Sequence, residues 1–130
     1  MPTLNHGYAY DEVSAFYQPT DSPLHWVLTR GLQIQALRLR EDYNQNIFNP
    51  RAEVWVGADS PTSEWGNTLA NDTAQVPVFV KRVGGDTYTY LGLFEVLTDE
   101  ATAGELTAAR NMVAPEHDRG VSRIVFLKTK

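Results

Sequence analysis

Cysteine is absent from this chain. Disulfides, thiolate metal sites and a cysteine nucleophile are therefore excluded. Long apolar runs are missing too: none approaches the roughly 18 residues that a membrane-spanning helix needs. The first residues form neither a basic n-region nor an apolar h-region, so no signal peptide is expected, and the expected compartment is the cytoplasm, without membrane contact. Histidine is scarce. His6, His25 and His117 stand far apart with no second ligand at metal spacing, so neither a metal nor another cofactor is expected. Positive charge is in deficit, with 11 lysines and arginines against 16 acids and a net charge of −5. That balance opposes nucleic acid as a partner. Its distribution softens the objection. Arg119, Arg123, Lys128 and Lys130 form a block without an acid, and Asp86, Glu95, Asp99, Glu100 and Glu105 form one without a base. Such blocks are also what ordinary solvated faces look like.

The 130 residues allow one domain with a real core and are too few for two. Residues 1–23 are polar and aromatic, with Tyr8, Tyr10, Phe16 and Tyr17. Asp11–Tyr17 is expected as a short helix capped by Asp11, or as an arm packed on the remainder. Pro19, Asp21, Ser22 and Pro23 then break the chain. Leu32 and Ile34, then Leu37 and Leu39, alternate in two phases, which predicts a strand over Leu24–Arg40 with a bulge after Gly31. A helix would hold Gly31 inside it, at a cost of about 1 kcal/mol relative to alanine. Glu41–Arg51 is an asparagine-rich loop and Glu53–Gly57 a short strand. A short helix over Trp65–Ala70 has Thr62 or Ser63 as cap and Glu64 near its positive end.

The most informative stretch is Val76–Val96, VPVFVKRVGGDTYTYLGLFEV. Two β-rich runs flank Gly84-Gly85-Asp86, a hairpin signal because glycine supplies the positive φ of a tight turn. Val76, Val78 and Val80 share one face of the first run, and Phe79 and Lys81 the other. Strict alternation would put Tyr88, Tyr90, Gly92, Phe94 and Val96 on one face of the second run, and Leu91, Leu93 and Leu97 on the other. Apolar residues on both faces predict a central strand of a closed barrel with outer helices. An isolated glycine such as Gly92 marks a bulge or a close backbone approach. Asp99–Met112 is the clearest helix, capped by Thr98 or Asp99, with Ala101, Leu106, Ala109 and Met112 as its apolar stripe. Val121–Lys128 is a last strand. Strands, helix and strand without βαβ alternation give an α+β fold with a largely antiparallel sheet.

No catalytic constellation emerges. Asp11-Glu12 and Asp99-Glu100 are paired carboxylates at helix starts, where acids belong in any case. Ser14 and Ser122 lack a strand-turn nucleophile context. Gly84-Gly85 is not followed by a helix and so is no phosphate cradle. The chain is therefore expected not to be an enzyme, and an enzyme on a small or nucleotide substrate is the least favoured alternative.

Trp55-Val56-Gly57, a short helix holding Trp65, Pro77-Val78-Phe79-Val80-Lys81, Tyr88-Thr89-Tyr90-Leu91-Gly92 and Val121-Ser122-Arg123-Ile124-Val125 together resemble the PUA-like β-barrel superfamily. The nearest likeness is to SRA-like modified-base readers and other PUA-like modules of modification-dependent restriction systems. It covers roughly Glu53–Lys128, while Met1–Arg51 and the acidic net charge have no counterpart in it. The resemblance implies a single PUA-like domain over 1–130, a mixed, largely antiparallel β-barrel with short flanking helices. It implies a nucleic-acid reader, of DNA before RNA, that takes a modified or flipped base into an aromatic pocket and works beside a nuclease or helicase domain or subunit. Trp55, Trp65, Tyr88 and Tyr90 would wall that pocket, Asp59 would accept from an exocyclic amine, and Lys81, Arg82, Arg123 and Lys128 would hold phosphates. The competing reading makes Trp55 a core residue and has Tyr88 and Tyr90 cap the barrel. The second functional reading is an accessory module that binds protein through an acidic face of the Asp99–Met112 helix.

Overall fold

The structure is a computed structural model, and it describes residues 2–18, 26–31, 33–41, 52–57, 62–71, 75–82, 84–98, 102–112 and 121–129. Asp59, His25, His117, the loop residues 42–51 and the helix-start acids Asp99 and Glu100 lie outside the described residues.

The strands are β1 (Gly7–Tyr8), β2 (Val27–Arg30), β3 (Gln33–Arg40), β4 (Ala52–Gly57), β5 (Val76–Lys81), β6 (Tyr88–Thr98) and β7 (Val121–Thr129). The helices are α1 (Tyr10–Tyr17), α2 (Thr62–Ala70) and α3 (Ala103–Met112). One sheet runs β2-β3-β5-β6-β7-β4, and β1 pairs with the start of β6. All neighbours are antiparallel except β3 and β5, which run parallel. The fold is thus α+β with a mixed, largely antiparallel sheet, as the strand pattern implied. Barrel closure is not found: the sheet is a curled, open half-barrel, with β2 and β4 at the ends of the strand order among the described residues.

One face carries a single cluster that includes Val27, Leu37, Val54, Val78, Phe94 and Val125, with Leu69 of α2 among them. Val27 and Val54 belong to the two terminal strands, which in a flat sheet would stand roughly 24 Å apart at about 4.8 Å per strand. Curling around α2 brings these ends into one apolar mass. The opposite, outer face has two smaller clusters. One joins Val13 of α1 to Tyr8, Leu28, Ala36, Phe79, Tyr88 and Tyr90 beneath it. The other joins Ala109 of α3 to Trp55, Ile124 and Phe126 beneath it.

Three local readings are corrected. Gly31, at φ +62°, is the turn between two paired strands rather than the start of a bulge, because Arg30 pairs with Gln33. The bulge in this hairpin falls where the register shifts between Leu28 and Thr29. In β6, alternation does not run through. Val78 faces Gly92 but Phe79 faces Tyr90, so Leu91 is the extra residue of a bulge, and Gly92 takes φ +102°. The bulge reverses the parity of the strand. Tyr88 and Tyr90 therefore join the outer cluster under α1, whereas Phe94 and Val96 pack on the inner one, and so does Leu91. The third correction concerns α3. Its cap is Thr102, three residues past Asp99. The Thr102 hydroxyl accepts from the Glu105 N–H at 3.1 Å, and Glu105 returns a carboxylate to the Thr102 N–H at 3.1 Å. This reciprocal pair is a capping box.

Candidate functional site

The end of the sheet where β3 and β5 finish gathers cations and aromatic rings on the outer face. Register sets the arrangement. Arg38 lies opposite Phe79, Arg40 opposite Lys81, and Lys81 opposite Tyr88. Alternation puts Arg38, Arg40, Phe79, Lys81 and Tyr88 on one face. Arg82 follows directly. Its carbonyl accepts from the Gly85 N–H at 2.9 Å, which closes the turn that Gly84 enters at φ +78°.

Arg38 organises this end. It is 3% exposed, and its guanidinium lies over the Tyr10 ring at 3.5 Å from the centroid and 6.0 Å from that of Tyr88. Its Nη1 donates to Ser14 Oγ at 2.9 Å and to the Tyr10 carbonyl at 3.3 Å. A buried guanidinium needs such partners, because an uncompensated charge is costly to bury. Burial lowers the pKa of Arg38, while the Tyr10 and Tyr88 phenols and Asp11 act in the opposite sense. The other end of α1 is held in the same way, with Arg30 Nη2 donating to the Tyr17 carbonyl at 2.7 Å. A cation at a helix C-terminus also complements its dipole. Two sheet arginines thus fix α1 and set Tyr10, which is 40% exposed, at the rim beside Tyr88. In α1 itself the cap is Ala9 rather than Asp11, and Glu12 Oε1 accepts from the Ala9 N–H at 2.9 Å.

The rings of α1 and of the strands beneath it form a continuous array, edge to face at Tyr8 and tilted between Phe79 and Tyr90. Tyr8 meets Phe16 at 5.0 Å and Phe79 at 6.1 Å, and Phe79 meets Tyr90 at 4.9 Å. Burial raises the phenol pKa of Tyr17, with Tyr90 and Tyr8 adding to it, and burial alone raises that of Tyr90. Both phenols stay protonated through the physiological range.

The residues singled out from sequence separate into three places. Tyr88 and Tyr90, each 7% exposed, lie under α1, and Tyr88 adjoins Lys81 and Arg82. Trp55 is 7% exposed beneath α3, and its indole N–H donates to Glu53 Oε1 at 2.9 Å. Trp65 is half-buried against the inner cluster, on the other side of the sheet. Arg123 stands opposite Val56 and Lys128 opposite Glu95. Glu95 is seven residues along β6 from Tyr88, roughly 20 Å. Lys81 and Arg82 are therefore remote from Arg123 and Lys128. The register thus sets Lys128 of the basic block across from Glu95 of the acidic one.

Arg38, Arg40 and Tyr10 were passed over in the sequence. The signal was present for the first two: QALRLR is a strand with arginines two apart, hence on one face. Tyr10 carried no such signal, because its position depends on where α1 docks. Among the described residues of α3 the exposed ones are Ala103, Gly104, Thr107, Ala108 and Asn111, and Glu105 is engaged in the cap; Asp99 and Glu100, the other acids of the protein-binding reading, lie outside the described residues. Among the described residues no group of three or more His, Cys, Asp or Glu could hold a metal ion. No described helix is long and apolar enough to cross a membrane. Comparison with family models, curated proteins and solved structures gives no match to any part of the chain.

Proposed function

We propose that this protein is a nucleic-acid-binding module without catalysis of its own, which contacts its ligand through the basic and aromatic end of the half-barrel. One observation carries the reading: Arg40, Lys81 and Arg82 stand together on adjacent strand ends beside Tyr10 and Tyr88. Cations in a row suit backbone phosphates, and an exposed aromatic beside them suits a base. The PUA-like reading of the fold belongs to this proposal and is supported by the curled mixed sheet with helices on its outer face. Recognition of a flipped base through all four rings is not supported, since Trp55, Trp65 and the tyrosines lie in separate clusters. DNA, in a cytoplasmic setting, is the ligand to test first.

The local charge is modest. Asp11 acts on Arg38, Glu41 pairs with Arg82, and Asp86 sits in the adjoining turn. Binding is accordingly weak and salt-sensitive. Fluorescence anisotropy with labelled duplexes, modified and unmodified, and with the matching single strands is the test. The expected result is binding that weakens steadily between about 50 and 200 mM salt, with a logarithmic slope of about −0.9 per phosphate neutralised on duplex. No salt-dependent binding to any of these ligands would remove the proposal.

A further inference from the structure

Glu41 is a carboxylate set among the cations of this end. It follows Arg40 directly at the end of β3, and its N–H donates to the Lys81 carbonyl at 2.8 Å. That backbone bond continues the β3–β5 pairing by one residue and pins Glu41 beside Lys81 and Arg82. Its Oε2 meets Arg82 Nη1 at 3.4 Å, with the side chains 28% and 60% exposed respectively. The contact is longer than the about 2.7–2.9 Å of a strong charge-assisted bond. An exposed pair of this kind contributes a factor of about five at most. A phosphate, by contrast, offers a guanidinium two parallel bonds.

We infer that Glu41 is an internal counter-ion that a ligand phosphate displaces from Arg82, so that this carboxylate lowers the affinity of the basic end. The inference rests on the nucleic-acid reading above. Exchange follows from the geometry. The Arg82 side chain is 60% exposed and so within reach of a phosphate, whereas Glu41 is held by its backbone and stays nearby after release. The displaced carboxylate then repels the incoming chain and recruits a cation of its own, which reduces the net ion release on binding.

The experiment is a double-mutant cycle read by anisotropy with one labelled single strand and the duplex of the same sequence. Glu41→Gln keeps the size of the side chain and removes the charge. It should tighten binding about two- to fivefold and steepen the salt slope by up to about one unit. In an Arg82→Ala background the same substitution should give little gain. Glu64→Gln, at an exposed position on α2, serves as the control for net charge and should leave affinity unchanged. Thermal melts of each variant check that the fold is retained. An equal gain from Glu41→Gln with and without Arg82 would show that bulk charge, not exchange at Arg82, is responsible, and would overturn the inference while leaving the binding function intact. The same holds if Glu41→Gln has no effect on a protein that binds. No binding by either the wild type or Glu41→Gln would remove both the inference and the function it rests on.

Discussion

Replacing Gly92 with alanine tests the step that sorts the rings of β6 between the two faces of the sheet. Gly92 holds φ +102°, beyond the left-handed helical region and nearly confined to glycine. Holding an L-residue in such a region costs about 1–3 kcal/mol. The added methyl would lie 3.3 Å from Leu4 Cδ1, a tight contact but with the end of a side chain that is 58% exposed and able to move. The backbone term therefore dominates, and the expected loss of stability is about 1–3 kcal/mol. Gly31→Ala is the comparison. Gly31 has φ +62°, inside the left-handed region, and open space around it, so its loss should be nearer 1 kcal/mol. Urea unfolding followed by tryptophan fluorescence measures both. If Gly92→Ala costs under about 0.5 kcal/mol, or less than Gly31→Ala, the bulge is not fixed by glycine and the assignment of Tyr88 and Tyr90 to the outer face loses its cause.

Three further outcomes follow from the packing. The Tyr17 phenol titrates well above its ordinary value in the folded chain, so the unfolded chain loses that proton first, near pH 10. Stability from this group should be intact below about pH 10 and fall as the pH rises further, and urea midpoints should show a shallower alkaline loss in Tyr17→Phe than in the wild type. Arg38→Ala removes the stack on Tyr10 and the bonds to Ser14 and the Tyr10 carbonyl, and should cost about 2–4 kcal/mol with increased proteolysis in α1; a change under about 0.5 kcal/mol would contradict the role given to Arg38. Trp55→Phe loses the buried bond to Glu53 and should destabilise by about 1–3 kcal/mol, yet leave nucleic-acid affinity unchanged where the protein is folded; a loss of affinity would return Trp55 to the binding site.

The sequence was most legible where local chemistry decides the outcome. The Gly84-Gly85 turn, the Val76-Val78-Val80 face and the strands around Trp55 and Ile124 follow from turn residues and period-two alternation, and each is present. Alternation failed in β6 because one extra residue at Leu91 reverses every side chain after it, and only the partner strand reveals that. The hairpin at Gly31 is not distinguishable in sequence from one bulged strand, because a tight turn and a bulge both call for the same residue. A strand apolar on both faces predicts closure of the barrel. In the structure helices on both sides supply that burial without closure: α1 and α3 outside, α2 within. The site was legible in pieces. Tyr88, Lys81 and Arg82 were singled out and do adjoin one another, but the parallel pairing of β3 with β5 brings in Arg38 and Arg40, and no local pattern announces that pairing.

The central claim is that phosphate contacts lie at the β3–β5 end rather than along β7. Two double variants compared for the salt dependence of duplex binding test this most directly. Lys81→Gln with Arg82→Gln should lower the slope by about 0.9 to 1.8, a full phosphate for Lys81 and up to one for Arg82 after the cation uptake by Glu41, while Arg123→Gln with Lys128→Gln should leave it unchanged. The reverse pattern, with the slope lost on β7 and retained at Lys81 and Arg82, would contradict the account.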